Sequence, residues 1–195
     1  MRIMSFLVAL VMTVSLSTPA FAQTTASLAA ANELNKLGLF NGVGTNADNS
    51  VNYSLSTQPT RAQALVMIIG LGGQKEAAQS GSYPHNFNDL SDGNAWALPF
   101  VSYGYYMGIT HGVSSTRFGT NDSISEYDFV FMVLKMLGYD AVYANTYELA
   151  SSLGLHYTGD SEFTRGDMAL VCRSALDCNI ASGGTLLSYL NSIGL

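Results

Sequence analysis

A short glycine-centred phrase occurs three times in the chain: LGLFNG at residues 37–42, MGITHG at residues 107–112, and LGL at residues 153–155. The residues before each phrase have helical spacing of their apolar side chains. A glycine directly after a helix suits a left-handed C-cap, where a Cβ atom would clash. We therefore predict that a helix ends at each phrase. These three predicted helices cover residues 26–37, 96–107 and 147–153.

A hydroxyl residue opens a second predicted helix in each copy, in TRAQ at residues 60–63, SEYD at residues 125–128 and TRGD at residues 164–167. Its side chain can accept a hydrogen bond from a first-turn amide. Three residues later, Gln63 would complete a capping box, and Asp128 and Asp167 would form shorter variants of it.

The apolar runs that follow these starts are apolar on all sides at residues 64–69 and 129–134, which predicts nearly complete burial of both helices. The pattern predicts an all-α fold of three helix–loop–helix repeats, whose second helices pack together because a single unit cannot bury its own apolar face.

The composition fits a folded chain and argues against several functional classes. Apolar residues make up 48% of the 195 residues and charged residues only 11%, which predicts a sizeable core and argues against disorder. The net charge of −6 argues against a basic protein that binds nucleic acid.

The chain has two cysteines, Cys172 and Cys178, too few for a disulfide-dense scaffold or a four-cysteine zinc site. On one continuous helix they would be separated by ~9 Å of rise, too far for a disulfide. A helix break after Asp177 would permit one. We favour a buried thiol at Cys172, and the pairing stays open.

Residues 1–22 have the pattern of a secretory signal peptide. A positively charged start precedes an apolar run at residues 6–16, and AFA at residues 20–22 gives a small-residue ending before a predicted cut after Ala22. The run is too short to span ~30 Å of hydrocarbon. We expect a secreted protein without a membrane span after cleavage; an uncleaved anchor is the alternative.

The middle copy carries further motifs, FNDL at residues 87–90, AWA at residues 95–97, and FG at residues 118–119. Together with MGITHG and the capped helix, they resemble the S-layer homology domain. TRAQ and TRGD are similar to that family's Thr-Arg-Ala-Glu signature. The resemblance covers about residues 28–190, although the first and third copies lack the Phe-x-Asp and Trp-Ala parts.

The resemblance implies a division of the chain and a role. The signal peptide would be followed by a partial repeat, a complete repeat and a shortened repeat, at residues 23–82, 83–140 and 141–195. They would form a pseudo-threefold module that binds secondary cell-wall polysaccharide non-covalently, often at a sugar that carries a pyruvate ketal. In that family the pockets lie between repeats and use the signature Arg with nearby Asp, Gly and Trp residues. The candidate ligand-binding residues here are Arg61, Gln63, Asp89, Trp96, Gly108, Gly112, Arg165 and Asp167.

The chemistry of the two signature arginines is compatible with such a ligand. Arg61 and Arg165 fall in the first turn of their predicted helices, where unpaired amides and a partial positive charge favour anions. A guanidinium fork also fits a carboxylate. Glu126 stands at the corresponding position of the middle copy and would repel a carboxylate, so we expect one or two working grooves. Arg117 is a possible substitute there.

Each candidate also has a structural interpretation. Either arginine could form a salt bridge to an acidic residue of a neighbouring repeat. Trp96 could stack on a sugar face, but its i, i+4, i+7 spacing with Phe100 and Tyr103 favours a core position. Asp89 could cap the following helix.

No enzyme motif was found: there is no Gly-x-Ser-x-Gly elbow, no His-Glu-x-x-His helix and no phosphate-binding glycine loop. The three histidines are scattered, and we predict neither a metal site nor a cofactor. The alternative to glycan binding is a surface module that contacts another protein through its helices. A hydrolase of wall glycans is a third class. The sequence leaves the oligomeric state open.

Overall fold

The computed structural model describes residues 19–160 and 162–195, except for the side chains of residues 19–24 and 92. Most of the predicted signal peptide, residues 1–18, lies outside the described residues. The described part is mostly helical, which supports the all-α class. Within it, no helix combines the length and apolar character needed to cross a membrane.

Eight α-helices, two 3-10 helices and one small hairpin make up the described fold. In chain order they are α1 Pro19–Lys36, β1 Gly44–Thr45, β2 Val51–Asn52, α2 Arg61–Leu71, α3 Lys75–Ser80, the 3-10 helix Asp92–Ala97, α4 Leu98–Tyr106, α5 Glu126–Met136, the 3-10 helix Tyr143–Asn145, α6 Thr146–Leu153, α7 Arg165–Asp177 and α8 Leu186–Ser192. The two short strands pair antiparallel inside the long loop of the first copy.

Two of the three predicted capping arrangements are confirmed in full. The Thr60 hydroxyl accepts from the Gln63 amide at 3.3 Å, and the Gln63 side chain accepts from the Thr60 amide at 3.1 Å. Thr164 and Asp167 form the same reciprocal pair at the start of α7. These caps satisfy amides that have no partner inside the helix.

The prediction for the start of α5 is right about the N-cap and wrong about the capping box. The Ser125 hydroxyl accepts from the Asp128 amide at 3.1 Å, as expected of an N-cap. However, the Asp128 carboxylate accepts from the Tyr143 hydroxyl and does not close a capping box. A tertiary contact therefore takes the place of the local one.

The glycine that ends each predicted first helix has a positive φ in all three copies. Gly38, Gly108 and Gly154 have φ values of +71°, +68° and +72°. A side chain is disfavoured in this left-handed conformation, which explains why the position is glycine.

The core forms where α2, α5 and α7 contact one another. The two runs that are apolar on all sides are almost entirely buried, as predicted; only Val66 and Phe131 keep some exposure. Each first helix of a copy packs on the inner helix of another copy: α4 on α2, α6 on α5, and α1 on α7. The contact of α1 with α7 joins the first copy to the third.

The predicted helix over residues 96–107 is two elements. Asp92–Ala97 is a 3-10 helix, and the α-helix begins only at Leu98. Because a 3-10 helix has three residues per turn, it does not keep the phase of the following α-helix. Phe100 and Tyr103 are buried, whereas Trp96 is 50% exposed, so the core interpretation of Trp96 is wrong.

Both cysteines are reduced and buried. Cys172 lies inside α7, and burial raises the pKa of its thiol well above the ordinary value. Cys178 caps the C-terminus of the same helix and its thiol contacts the Leu153 carbonyl at 3.3 Å. The favoured interpretation of Cys172 as a buried thiol is confirmed.

Candidate functional site

The first residue of each inner helix reaches across to a loop of another copy. The Arg61 Nε–H donates to the Phe118 carbonyl at 3.1 Å, and the Arg165 Nε–H donates to the Tyr53 carbonyl at 2.8 Å. Glu126 reaches the loop of the third copy in the same way, as an acceptor. The contacts run from the first copy to the second, from the second to the third, and from the third back to the first.

Arg165 is held in place by neutral groups. Beside its bond to Tyr53, it donates from Nη2 to the Asn41 carbonyl at 3.4 Å, and its Cζ lies 5.1 Å from the centre of the Phe40 ring. Its own amide donates to the Thr57 carbonyl at 2.8 Å, which fixes the start of α7 against the loop of the first copy. A guanidinium has five N–H donors, and the described side-chain bonds use two of them.

A cavity of about 210 Å³ opens beside Arg165. It lies between the phrase of the first copy, one side of α2 and the start of α7, and it contains three of the predicted site residues. The residues that line it are Gly38, Leu39, Phe40, Asn41, Gln63, Val66, Met67, Gly70, Lys75, Trp96, Arg165 and Met168. We call this cavity the Arg165 groove.

The Arg165 groove is electropositive. Its lining includes two cations, Arg165 and Lys75, and no acidic residue. No ion pair to Arg165 is present among the described residues. Burial lowers the pKa of Arg165 from its ordinary value, and no acidic neighbour offsets this effect. A partly buried charge without a counter-ion favours an anion in the groove.

Arg61 has a different environment, although it occupies the corresponding position on α2. It is only 5% exposed, and its Nη1 lies 3.5 Å from Asp128 Oδ2. Its Cζ lies 5.4 Å from the centre of the Phe118 ring. Burial lowers the pKa of Arg61, and the charge of Asp128 partly offsets that shift. The salt-bridge alternative therefore describes Arg61.

Glu126 uses its carboxylate to organise the third copy. It is buried and accepts from the Gly159 amide at 2.6 Å, from the Thr158 amide at 2.8 Å and from the Tyr147 hydroxyl at 3.1 Å. Burial, together with the Glu126 charge, raises the pKa of Tyr147. At the position where the other two copies have an arginine, the middle copy thus has a carboxylate that is bonded to the loop of the third copy.

Asp89 holds the loop of the middle copy together. Its carboxylate accepts from the amides of Phe118 and Gly119 at 2.9 and 2.8 Å, and from that of Thr120 at 3.4 Å. Burial acts to raise the pKa of Asp89, but these amides outweigh it and lower the pKa. The N-cap of the following 3-10 helix is Ser91, so the interpretation of Asp89 as the cap of that helix is wrong. Asp89 therefore positions the Phe118 carbonyl that Arg61 contacts.

The remaining predicted site residues lie in turns and caps, outside the lining of the Arg165 groove. Gly108 and Gly112 both have a positive φ, and Gly112 packs against the ring of Phe87 and the Arg117 carbonyl. Asp167 is buried in its capping box. Arg117 is exposed and paired with Asp122 at 2.7 Å.

The sequence analysis missed three residues around the two arginines: Lys75, Asp128 as a counter-ion, and Tyr143. Lys75 follows a Gly-Gly pair at the end of α2, and nothing in its local sequence connects it with Arg165. For Asp128, the signal was its place three residues into α5, the place that Gln63 has in α2.

No family profile matches the chain. The chain is similar to a protein named "Cell surface protein" from Thermoanaerobacter kivui, with 27% identity over 148 residues. The match covers 72% of this chain and 19% of that protein, so the chain spans about a fifth of its relative's length. This similarity is consistent with a surface-associated role.

Proposed function

We propose that the chain is a helical module of the S-layer homology type, with three copies around a pseudo-threefold axis, that binds an acidic polysaccharide of the bacterial cell wall. The ligand is a secondary wall polymer, with a pyruvate ketal as the source of its carboxylate. The cyclic contacts between copies and the similarity to a cell surface protein support this proposal.

The observation that carries the proposal is the state of Arg165. Its guanidinium is partly desolvated, is fixed by backbone carbonyls, and has no described counter-ion. A carboxylate of a ligand would supply the missing charge, and the preset fork would lose little conformational freedom on binding.

The other groups in the Arg165 groove suit a sugar. Trp96 offers an exposed aromatic surface, and Gln63 is an exposed polar residue of the lining. Lys75 adds a second positive charge. A net-acidic chain can therefore bind an acidic polymer, because two of its cations line the same groove and no acidic residue does.

Co-sedimentation with purified bacterial cell walls tests the proposal. The folded wild-type chain should pellet with the walls, and Arg165→Ala should bind roughly 10- to 150-fold more weakly, because a hydrogen bond to a charged group contributes about 1.5–3 kcal/mol. Arg117→Ala is the matched control, since Arg117 is exposed and pairs only with a surface acid.

Chemical removal of the secondary polysaccharide separates glycan binding from protein contact. The proposal predicts that binding is lost with the polymer. A module that recognises another surface protein would still pellet with the stripped walls. On intact walls, unchanged pelleting of a folded Arg165→Ala variant would show that the groove is not the site. Release of reducing ends from the walls would indicate hydrolysis in place of binding.

A further inference from the structure

The inner helices α2 and α5 differ at one position in a way that changes the grooves beside them; α7 has Asp167 there, which caps its own helix. The third residue of α2 is Gln63, and that of α5 is Asp128. Gln63 faces the groove that contains Arg165, whereas Asp128 faces Arg61. A neutral amide thus accompanies one arginine, and a carboxylate accompanies the other.

The aromatic residue beside each pair also has a corresponding place in the fold. Trp96 belongs to the 3-10 helix immediately before α4, and Tyr143 belongs to the 3-10 helix immediately before α6. Trp96 lines the Arg165 groove. Tyr143 is turned to Asp128, and its hydroxyl donates to Asp128 Oδ1 at 2.7 Å.

The Asp128 carboxylate is shared between the two neighbours. One oxygen accepts from Tyr143, and the other lies 3.5 Å from Arg61 Nη1. The side chain of Asp128 keeps 32% of its exposure, while that of Arg61 keeps 6%. Asp128 is therefore the more solvent-accessible member of the pair.

We infer that Asp128 is an internal anion that occupies the place of a ligand at Arg61, so that the chain binds acidic glycan at the Arg165 groove alone. A second carboxylate near Arg61 would meet the charge of Asp128, and displacing Asp128 would break its bond with Tyr143. The inference rests on the proposed function and adds to it the number of binding sites and the residue that closes the second one.

According to this inference, the charge of Asp128, which Gln63 lacks, decides whether a site is closed. Replacing Asp128 by glutamine removes the acid that pairs with Arg61 and leaves Tyr143 as an exposed aromatic ring beside it. The result resembles the arrangement at Arg165, with Asp122 as the remaining acid whose charge acts on Arg61. Asp128→Gln should therefore open a second site of the same chemistry. Asp128→Glu preserves the charge and should leave the second site closed.

Isothermal titration calorimetry with the methyl glycoside of a pyruvate-ketal hexose measures the number of binding sites on the full chain. We expect one site in the wild type and in Asp128→Glu, two sites in Asp128→Gln, and one site in Asp128→Gln combined with Arg165→Ala. Circular dichroism and a thermal melt check that each variant is folded. If Asp128→Gln does not fold, Asp128→Asn provides the same neutralisation with a shorter side chain.

The outcomes separate the two claims. One site in both the wild type and Asp128→Gln overturns the inference and leaves the proposed function intact. Two sites in the wild type overturn the inference as well. Binding by neither the wild type nor Asp128→Gln overturns both claims. Binding that appears only in Asp128→Gln supports the role of Asp128 and contradicts the assignment of the Arg165 groove.

Discussion

What an arginine at the start of a helix can bind depends on what its guanidinium already contacts. Arg61 and Arg165 share a place in the sequence pattern and both donate to a backbone carbonyl of another copy. They differ in their neighbours, because Asp128 neutralises Arg61 and no described acid neutralises Arg165. Residue type alone therefore does not distinguish the two arginines, whereas the presence of a counter-ion does.

The contact between Asp128 and Tyr143 predicts a pH dependence. Burial, followed by the hydrogen bond to Asp128, raises the pKa of Tyr143 to about 12. The folded protein therefore keeps this proton at pH values where the unfolded chain, with a pKa near 10, releases it. The stabilisation is fully present below about pH 10 and is lost as pH rises towards 12.

Urea unfolding between pH 9 and pH 11.5 measures this effect. The wild type should lose more stability over that range than Tyr143→Phe, which has no proton to release. Tyr106→Phe is the control, because Tyr106 is exposed to a similar extent, 60% against 52% for Tyr143, and its hydroxyl has no hydrogen bond among the described residues. Parallel stability curves for the wild type and Tyr143→Phe would contradict the assigned environment.

Helix starts and ends were predictable because their chemistry is local. A hydroxyl residue with a reciprocal partner three positions on marks the start of α2 and α7, and a glycine with positive φ marks the end of a first helix. The 3-10 helix before α4 was not predictable, because its phase depends on how Trp96 and the following helix pack. The missed counter-ion of Arg61 is likewise a contact between distant parts of the chain.

Two glycines of the middle phrase, Gly108 and Gly112, test whether glycine is needed there for the backbone conformation of the turn. Both have a positive φ, but an added Cβ at Gly108 meets open space, whereas one at Gly112 comes within 2.5 Å of the Phe87 ring and 2.6 Å of the Arg117 carbonyl. Gly108→Ala should cost about 1–2 kcal/mol of stability, the usual penalty for this conformation. Gly112→Ala should cost clearly more.

Chemical denaturation of the two variants gives both free energies of unfolding. Neither glycine lines the Arg165 groove, so the folded Gly108→Ala variant should bind cell walls as the wild type does. An equal cost at both positions would contradict the packing described for Gly112.

At the scale of the molecule, contacts between the first helix and the last inner helix tie the described chain into one unit. α1 packs on α7, and Arg173 on α7 pairs with Glu33 on α1. Asn41 and Tyr53, from the loop after α1, also provide the carbonyls that hold Arg165. The Arg165 groove therefore depends on contacts between residues more than 100 positions apart, which no local pattern predicts.

This dependence predicts that a core change in α1 weakens the whole fold. Leu34 is completely buried, and Leu34→Ala should destabilise the protein by about 2–5 kcal/mol in a single cooperative transition. Leu28→Ala is the matched control on the same helix, because Leu28 is 45% exposed and should cost far less. The midpoint of urea unfolding measures both. A separate early transition in Leu34→Ala would show that α1 unfolds independently.

The central claim is that the Arg165 groove binds a carboxylate-bearing sugar, and Trp96 makes it directly measurable. Trp96 is the chain's single tryptophan and lines the groove, so its fluorescence reports on this site. Titration with the pyruvate-ketal glycoside should change the emission saturably in the wild type. The methyl ester of the same ligand, which lacks the charge, and the Arg165→Ala variant should both give a far weaker response. Saturable binding that leaves Trp96 emission unchanged, or equal responses to acid and ester, would contradict the account.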